Sequence, residues 1–200
     1  MNPLNRLEPW DLYREGFGDR VGALEATDRK GQALGLDDAF TAWVDLTRKT
    51  HERGRSVFFI GNGGSAMIAS HMATDACKNA GLRALAFNDA SLITAIGNDL
   101  AFEQVFALPL TRLGAAGDLL ISISSSGNSP DIVLALETAR ELSMHLVTLS
   151  GMGVDNRSRT LGDLNFYVPA PTYGFVECAH QLVIHYWFDT YMKRFAGGAN

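Results

Sequence analysis

Three short stretches carry the side chains that could do chemistry. The first is Gly61-Asn62-Gly63-Gly64-Ser65, which follows the apolar run Phe58-Phe59-Ile60. Glycines there let the backbone bend sharply and let a ligand approach closely. Ser65 reads as the N-cap of a following helix, whose free N–H groups suit a phosphate. His71 and Asp75 come next at i, i+4, on one face of that helix. They stand about one and a half turns beyond the anion cradle. An imidazole beside a carboxylate suits proton transfer or metal binding. Such a turn is also compatible with a purely structural role, and such a pair with a surface contact.

The second stretch, Ile123-Ser124-Ser125-Ser126-Gly127-Asn128-Ser129-Pro130-Asp131, repeats the pattern of buried strand, small polar loop and helix. Ser129 is placed to N-cap, Pro130 fits the first helical position and Asp131 suits the first turn. Ser124, Ser125, Ser126 and Ser129 add hydroxyls to the loop N–H groups. That combination holds a phosphate without Lys or Arg. A well-capped polar turn is the plainer alternative. Neither glycine loop fits the dinucleotide fingerprint, and no G-x-x-x-x-G-K-[ST] motif is present.

The third stretch is Glu177-Cys178-Ala179-His180-Gln181-Leu182-Val183-Ile184-His185. On a helix Glu177 and His185 stand about 80° apart and can face one cleft, whereas His180 and His185 stand about 140° apart. His180 therefore reads as a packed histidine. A carboxylate such as Glu177 on a largely apolar helix needs a partner or a ligand.

The elements that must position these groups follow from the hydrophobic rhythm. Residues 1–54 read as a helical arm, with a first helix near Asp11–Glu15 broken at Gly16 and Gly18, and a short second one at Val21–Ala26. Phe40, Trp43, Val44 and Thr47 form an apolar stripe on a third helix, ended by Gly54. We read Trp43 as core. Beyond residue 54, strands are expected at Val57–Ile60, Arg83–Phe87, Leu119–Ser124, Leu146–Ser150 and Leu164–Val168. Helices are expected at Ser65–Asn79, Ser91–Ile96, Leu100–Leu113, Ser129–Leu142 and Ser158–Gly162. A long terminal helix runs from Tyr173 to about Phe195, closed by Gly197 and Gly198. Alternating strands and helices predict one α/β domain over residues 1–200, with a mainly parallel five-stranded sheet covered on both faces and a core at 55–196.

The bulk numbers agree with that class. The chain has 200 residues, 46% apolar and 20% charged, enough for one domain with its own core. A net charge of −5 without a basic tract argues against nucleic acid as a direct ligand. Cys77 and Cys178 lie in no CxxC motif and fit reduced thiols. Met1–Glu8 lacks an apolar signal core, and no run of 18 apolar residues suggests a membrane span. A cytoplasmic location is expected.

Gly61–Ser65, His71, Gly97-Asn98-Asp99, Ser124–Ser129 and the Glu177–His185 helix, in this order, resemble the SIS (sugar isomerase) domain family and within it the phosphoheptose isomerase branch. The likeness spans about residues 37–195. It implies a flavodoxin-like three-layer fold, a homotetramer with active sites between subunits, and a divalent metal, usually zinc. It also implies aldose–ketose isomerisation of sedoheptulose 7-phosphate, or a related phosphosugar, through a cis-enediol. By position, Asn62, Gly63, Gly64, Ser65, Asp75, Asn98, Asp99, Ser124, Ser125, Ser126, Ser129 and Glu177 would bind substrate. His71, Asp75, Glu177 and His185 would bind metal, and Asp75 and His185 would be catalytic. Two positions depart from the family pattern: its catalytic glutamate falls at Asp75, and its substrate- and metal-contacting glutamine at Glu177. The alternative implied by the same family is a non-catalytic protein, like the members that associate with the replication initiator. Retention of an acid at 75 and an imidazole at 185 favours an enzyme. A sugar-phosphate-sensing regulatory domain is a further rival, and no DNA-binding segment accompanies it here.

Overall fold

The computed structural model describes residues 9–197, so the Met1–Glu8 reading and the closing role of Gly198 lie outside the described residues. The elements run α1 (Trp10–Gly22), β1 (Glu25–Asp28), β2 (Ala33–Leu34), α2 (Leu36–Glu52), β3 (Ser56–Gly61), α3 (Gly64–Ala80), β4 (Arg83–Ala86) and α4 (Ala90–Asp99). They continue with α5 (Gln104–Leu113), β5 (Leu119–Ser124), α6 (Pro130–Glu141), β6 (His145–Gly151), a 3₁₀ turn (Arg157–Thr160), β7 (Leu164–Val168) and α7 (Tyr173–Phe195).

The five expected strands are β3 to β7, and they pair in parallel in the order β7-β6-β5-β3-β4. By order of appearance that is the flavodoxin-like arrangement, whose ligands bind where neighbouring crossovers diverge. Here the switch point falls between β3 and β5. The glycine loop leaves β3 there, and the serine loop leaves β5 beside it.

The sheet has seven strands, two more than expected. β1 pairs antiparallel with β7, and β2 pairs antiparallel with β1. Residues read as the end of a helical arm thus extend the sheet. β1 is only four residues and β2 only two, so pairing with β7 decides the state of β1, and pairing with β1 that of β2, rather than any local pattern. α1 also runs unbroken through Gly16 and Gly18. It buries none of its residues, and its Tyr13 and Phe17 lie against Phe175 with ring centroids 4.6 and 6.2 Å apart. α4 likewise continues past Gly97.

Strand residues alternate between two cores. Val57 and Phe59 of β3 face α2, α3 and α7, whereas Phe58 and Ile60 face α4, α5 and α6. The apolar stripe Phe40, Trp43, Val44 and Thr47 is wholly buried. Trp43 stacks on Trp187 of α7 at 4.7 Å, and Trp187 Nε1 donates to Thr47 Oγ1 at 3.2 Å. These contacts fix α7 on the sheet face it shares with α3, which sets His185 near His71. Among the described residues, no helix is long and apolar enough to cross a membrane.

Candidate active site

A cavity of about 220 Å³ opens at the switch point. Asn62, Gly63, Gly64, Ser65, Ser124, Ser125, Ser126, Ser129, Tyr173 and Glu177 line it. The two loops therefore form one cradle. Of these residues, Tyr173 was missed by the sequence reading. It is the first residue of α7 and carried no motif.

Two helices begin at this cavity without side-chain caps. α3 starts behind Gly63, whose φ of +54° is a conformation glycine adopts freely. Ser65 is thus not the N-cap, as its type suggested, but a buried residue of the first turn facing the cradle. Ser129 does precede α6, yet its hydroxyl makes no cap bond. Both ends leave N–H groups unpaired by side chains, and both carry the partial positive charge of a helix N-terminus. An anion between them is favoured.

The serine loop is braced from outside. Ser124 Oγ accepts from Gly127 N at 3.2 Å, and Ser126 Oγ accepts from Asn128 N at 3.3 Å. The backbone N–H and the hydroxyl of Ser158 both donate to Gly127 O at 2.9 Å. Asn156, 1% exposed, packs so close to Gly127 that a Cβ there would meet its Oδ1 at 2.1 Å. Asn156 and Ser158 were invisible in the sequence, being lone polar residues in a turn. Ser125 differs from its neighbours. It is 5% exposed, lines the cavity, and among the described residues its Oγ has no hydrogen-bond partner. A buried hydroxyl left unpaired costs about 1–3 kcal/mol. A ligand oxygen in the cradle would supply the missing acceptor.

A second hollow, of about 500 Å³, adjoins the first. Gly64 and Glu177 line both, and Met67, Ile68, His71, Cys178 and Gln181 complete it. His71 Nε2 lies 3.4 Å from Asp75 Oδ2 one turn further along α3. The His71 ring on α3 and the His185 ring on α7 lie with centroids 5.5 Å apart and planes tilted by 57°. Asp75 and His185 thus converge on His71 rather than on the cavity wall. Asn98 and Asp99 are exposed at the end of α4, bonded to each other at 2.8 Å, and do not line the cradle within this chain.

The expected metal set divides in two. Two imidazoles bound to one tetrahedral ion place their centroids about 5 Å apart, so the His71–His185 pair fits two ligand positions. Among the described residues, however, no three His, Cys, Asp or Glu side chains converge to hold an ion. Glu177 instead packs against Gly64, at the border of the two hollows.

His180, also on α7, is fully buried, and its Nε2 donates to Ser150 O at 3.1 Å. Burial pushes its pKa down to about 4, so it is neutral and structural at working pH. That agrees with its reading as a packed histidine.

The profile of the SIS domain matches residues 26–151. The chain belongs to the SIS domain family. It is 36% identical over 168 residues to the phosphoheptose isomerase of Helicobacter pylori, across 81% of this chain and 87% of that protein. It is 48% identical over 110 residues to the phosphoheptose isomerase of Nitratidesulfovibrio vulgaris, where the match spans 52% of this chain and 53% of the relative, about half its length. The structure of phosphoheptose isomerase from Neisseria gonorrhoeae superposes with a TM-score of 0.79 at 29% identity, over 92% of this SIS chain and 96% of that one.

Proposed function

We propose that this SIS protein is an aldose–ketose isomerase that converts sedoheptulose 7-phosphate to D-glycero-D-manno-heptose 7-phosphate. The shared wall of the two hollows carries the reading. Gly64 and Glu177 join a phosphate-sized cradle, built from hydroxyls and helix N-termini, to a chamber reached by a histidine–carboxylate pair. The phosphate would sit in the cradle, with Ser125 Oγ donating to it. Remote binding energy then orients the reacting end towards His71. The named activity of relatives at 36% and 48% identity supports the choice of sugar.

In the forward direction Asp75 takes a proton from C1 and returns it to C2. His185 hands a proton to the C2 oxygen and receives one from the C1 oxygen, so a cis-enediol forms and collapses without net loss of protons. Glu177 would contact the sugar between these ends.

Zinc is a further part of the proposal. His71 and His185 would hold it, and its chemistry there would be to polarise the substrate carbonyl. No proton step above depends on it. We also propose a homotetramer whose subunits meet over this chamber. Met67, Leu182 and Tyr186, which are 75%, 48% and 49% exposed on α3 and α7, are the apolar side chains a second copy would cover. A cytoplasmic location fits this chemistry.

The test is isomerisation of sedoheptulose 7-phosphate followed by NMR, with and without EDTA and added zinc. Appearance of the aldose 7-phosphate supports the reading. Binding of the ketose without turnover overturns it. Zinc content of the purified protein reads the metal proposal separately.

A further inference from the structure

The cradle draws its two halves from different strands, and something must hold them in register. Among the described residues, a single side-chain hydrogen bond joins them: Asn62 Nδ2 donates to Asp131 Oδ2 at 2.8 Å. Asn62 belongs to the glycine loop and lines the cavity. Asp131 stands in the first turn of α6, behind the serine loop, and is 2% exposed. It does not line the cavity itself.

We infer that Asp131 is a positioning residue for phosphate recognition, acting through Asn62. An ionised carboxylate only accepts hydrogen bonds, so it fixes the sense of the Asn62 amide. The NH₂ group must turn towards Asp131, and the amide plane is set relative to the cradle. A neutral amide at 131 could pair in either sense. That fixed orientation matters because no Lys or Arg is among the described residues lining this cavity. Phosphate must then be held by dipoles, and dipoles help only when they are aimed beforehand.

The carboxylate is an expensive choice in this place. Burial raises the Asp131 pKa, opposed by the hydrogen bond from Asn62 and by N–H groups of its own helix turn. A buried negative charge also stands two residues beyond Ser129, which lines a site for an anion. Its retention is understandable when its work is orientation rather than attraction.

This inference rests on the isomerase reading for its kinetic arm but not for its binding arm. Asp131→Ala and Asp131→Asn are compared with the wild-type protein in two assays: turnover of sedoheptulose 7-phosphate, and titration with inorganic phosphate by calorimetry. Losing one oriented donor should weaken phosphate binding and raise KM about tenfold in Asp131→Ala, with kcat within about twofold. Asp131→Asn keeps an acceptor oxygen for Asn62 but can pair in either sense, so it should recover only part of the loss. Asn62→Ala should show the same defect, and Asp131→Ala should add nothing to it, since both break one contact. Thermal melts of each variant separate misfolding from mispositioning, and Asn62→Ala, at a half-buried loop position, carries the test should Asp131→Ala unfold. Unchanged phosphate affinity in Asp131→Ala overturns the inference, as do additive losses in the double variant or wild-type protein that binds no phosphate. Absence of turnover in wild-type protein that still binds phosphate overturns the isomerase reading alone.

Discussion

The Glu177 carboxylate rests against the backbone of Gly64: a methyl group built on Gly64 would stand 2.6 Å from Glu177 Oε2. This contact marks the border between the phosphate cradle and the chamber of His71. Gly64→Ala must therefore push Glu177 out of place. A displacement of this size near reacting groups should lower kcat/KM by about 10- to 100-fold. In a Glu177→Ala background the obstacle is gone, and the same Gly64→Ala change should alter kcat/KM by less than about twofold. Steady-state kinetics of the two single variants and the double variant check this. Independent, additive losses would show that Gly64 matters for some reason other than Glu177.

Much of this site was legible in the sequence because its parts are local. The glycine loop and the serine loop each sit within a few residues of a strand end, where apolar rhythm locates them, and His71 and Asp75 share one face of the helix that follows. Four of the parallel strands, β3, β5, β6 and β7, were legible as short runs buried on both faces, and the half-exposed edge strand β4 from its apolar run. What the sequence hid depends on distant partners. β1 is a strand only because β7 offers it an edge, and α1 crosses two glycines with Phe175 packed against its Tyr13 and Phe17. Asn156 and Ser158 brace Gly127 from about thirty residues away. The Ser65 expectation failed on geometry: a serine before a helix usually caps it, but Gly63 takes the cap position here because its positive φ turns the chain. That frees the Ser65 side chain to face the cradle.

Asp75 Oδ2 lies 3.4 Å from His71 Nε2. As the proposed base it should be dispensable for phosphate binding and indispensable for turnover. Asp75→Asn keeps the shape and removes the basicity. Turnover should fall about 10²- to 10⁴-fold, the usual worth of a positioned general base, with inorganic phosphate affinity unchanged. Single-turnover assays and phosphate calorimetry read the two quantities. Near wild-type turnover in Asp75→Asn would move the base elsewhere, with Glu177, the carboxylate that lines the chamber, the next candidate.

His180 makes the fold sensitive to acid. Its pKa is held down to about 4 by burial, against an ordinary value of 6.5. Below pH 6.5 the unfolded chain takes up a proton that the folded chain refuses, so stability falls as pH falls, and the loss is complete near pH 4. At about 1.4 kcal/mol per unit the full loss is on the order of 3 kcal/mol. His180→Gln can still donate to Ser150 O and does not titrate. Its urea midpoint should change less between pH 7 and pH 4.5 than that of the wild-type protein. Parallel pH dependences in the two proteins would exclude His180 as the source.

Ser125 should show opposite effects on stability and on function. Among the described residues its buried Oγ has no hydrogen-bond partner, a state that costs about 1–3 kcal/mol. Ser125→Ala removes the unpaired group and leaves the Cβ in place, so the variant should melt at or above the wild-type temperature. The same change removes a hydroxyl donor from a cradle whose described lining holds no Lys or Arg. Phosphate affinity should then drop about tenfold, and KM should rise in step while kcat holds. Wild-type protein should also gain thermal stability on adding phosphate, and Ser125→Ala should gain less at equal concentration. Differential scanning fluorimetry across a phosphate series reads both effects at once. A destabilised Ser125→Ala with unchanged phosphate response would mean that the hydroxyl serves the fold and not the ligand.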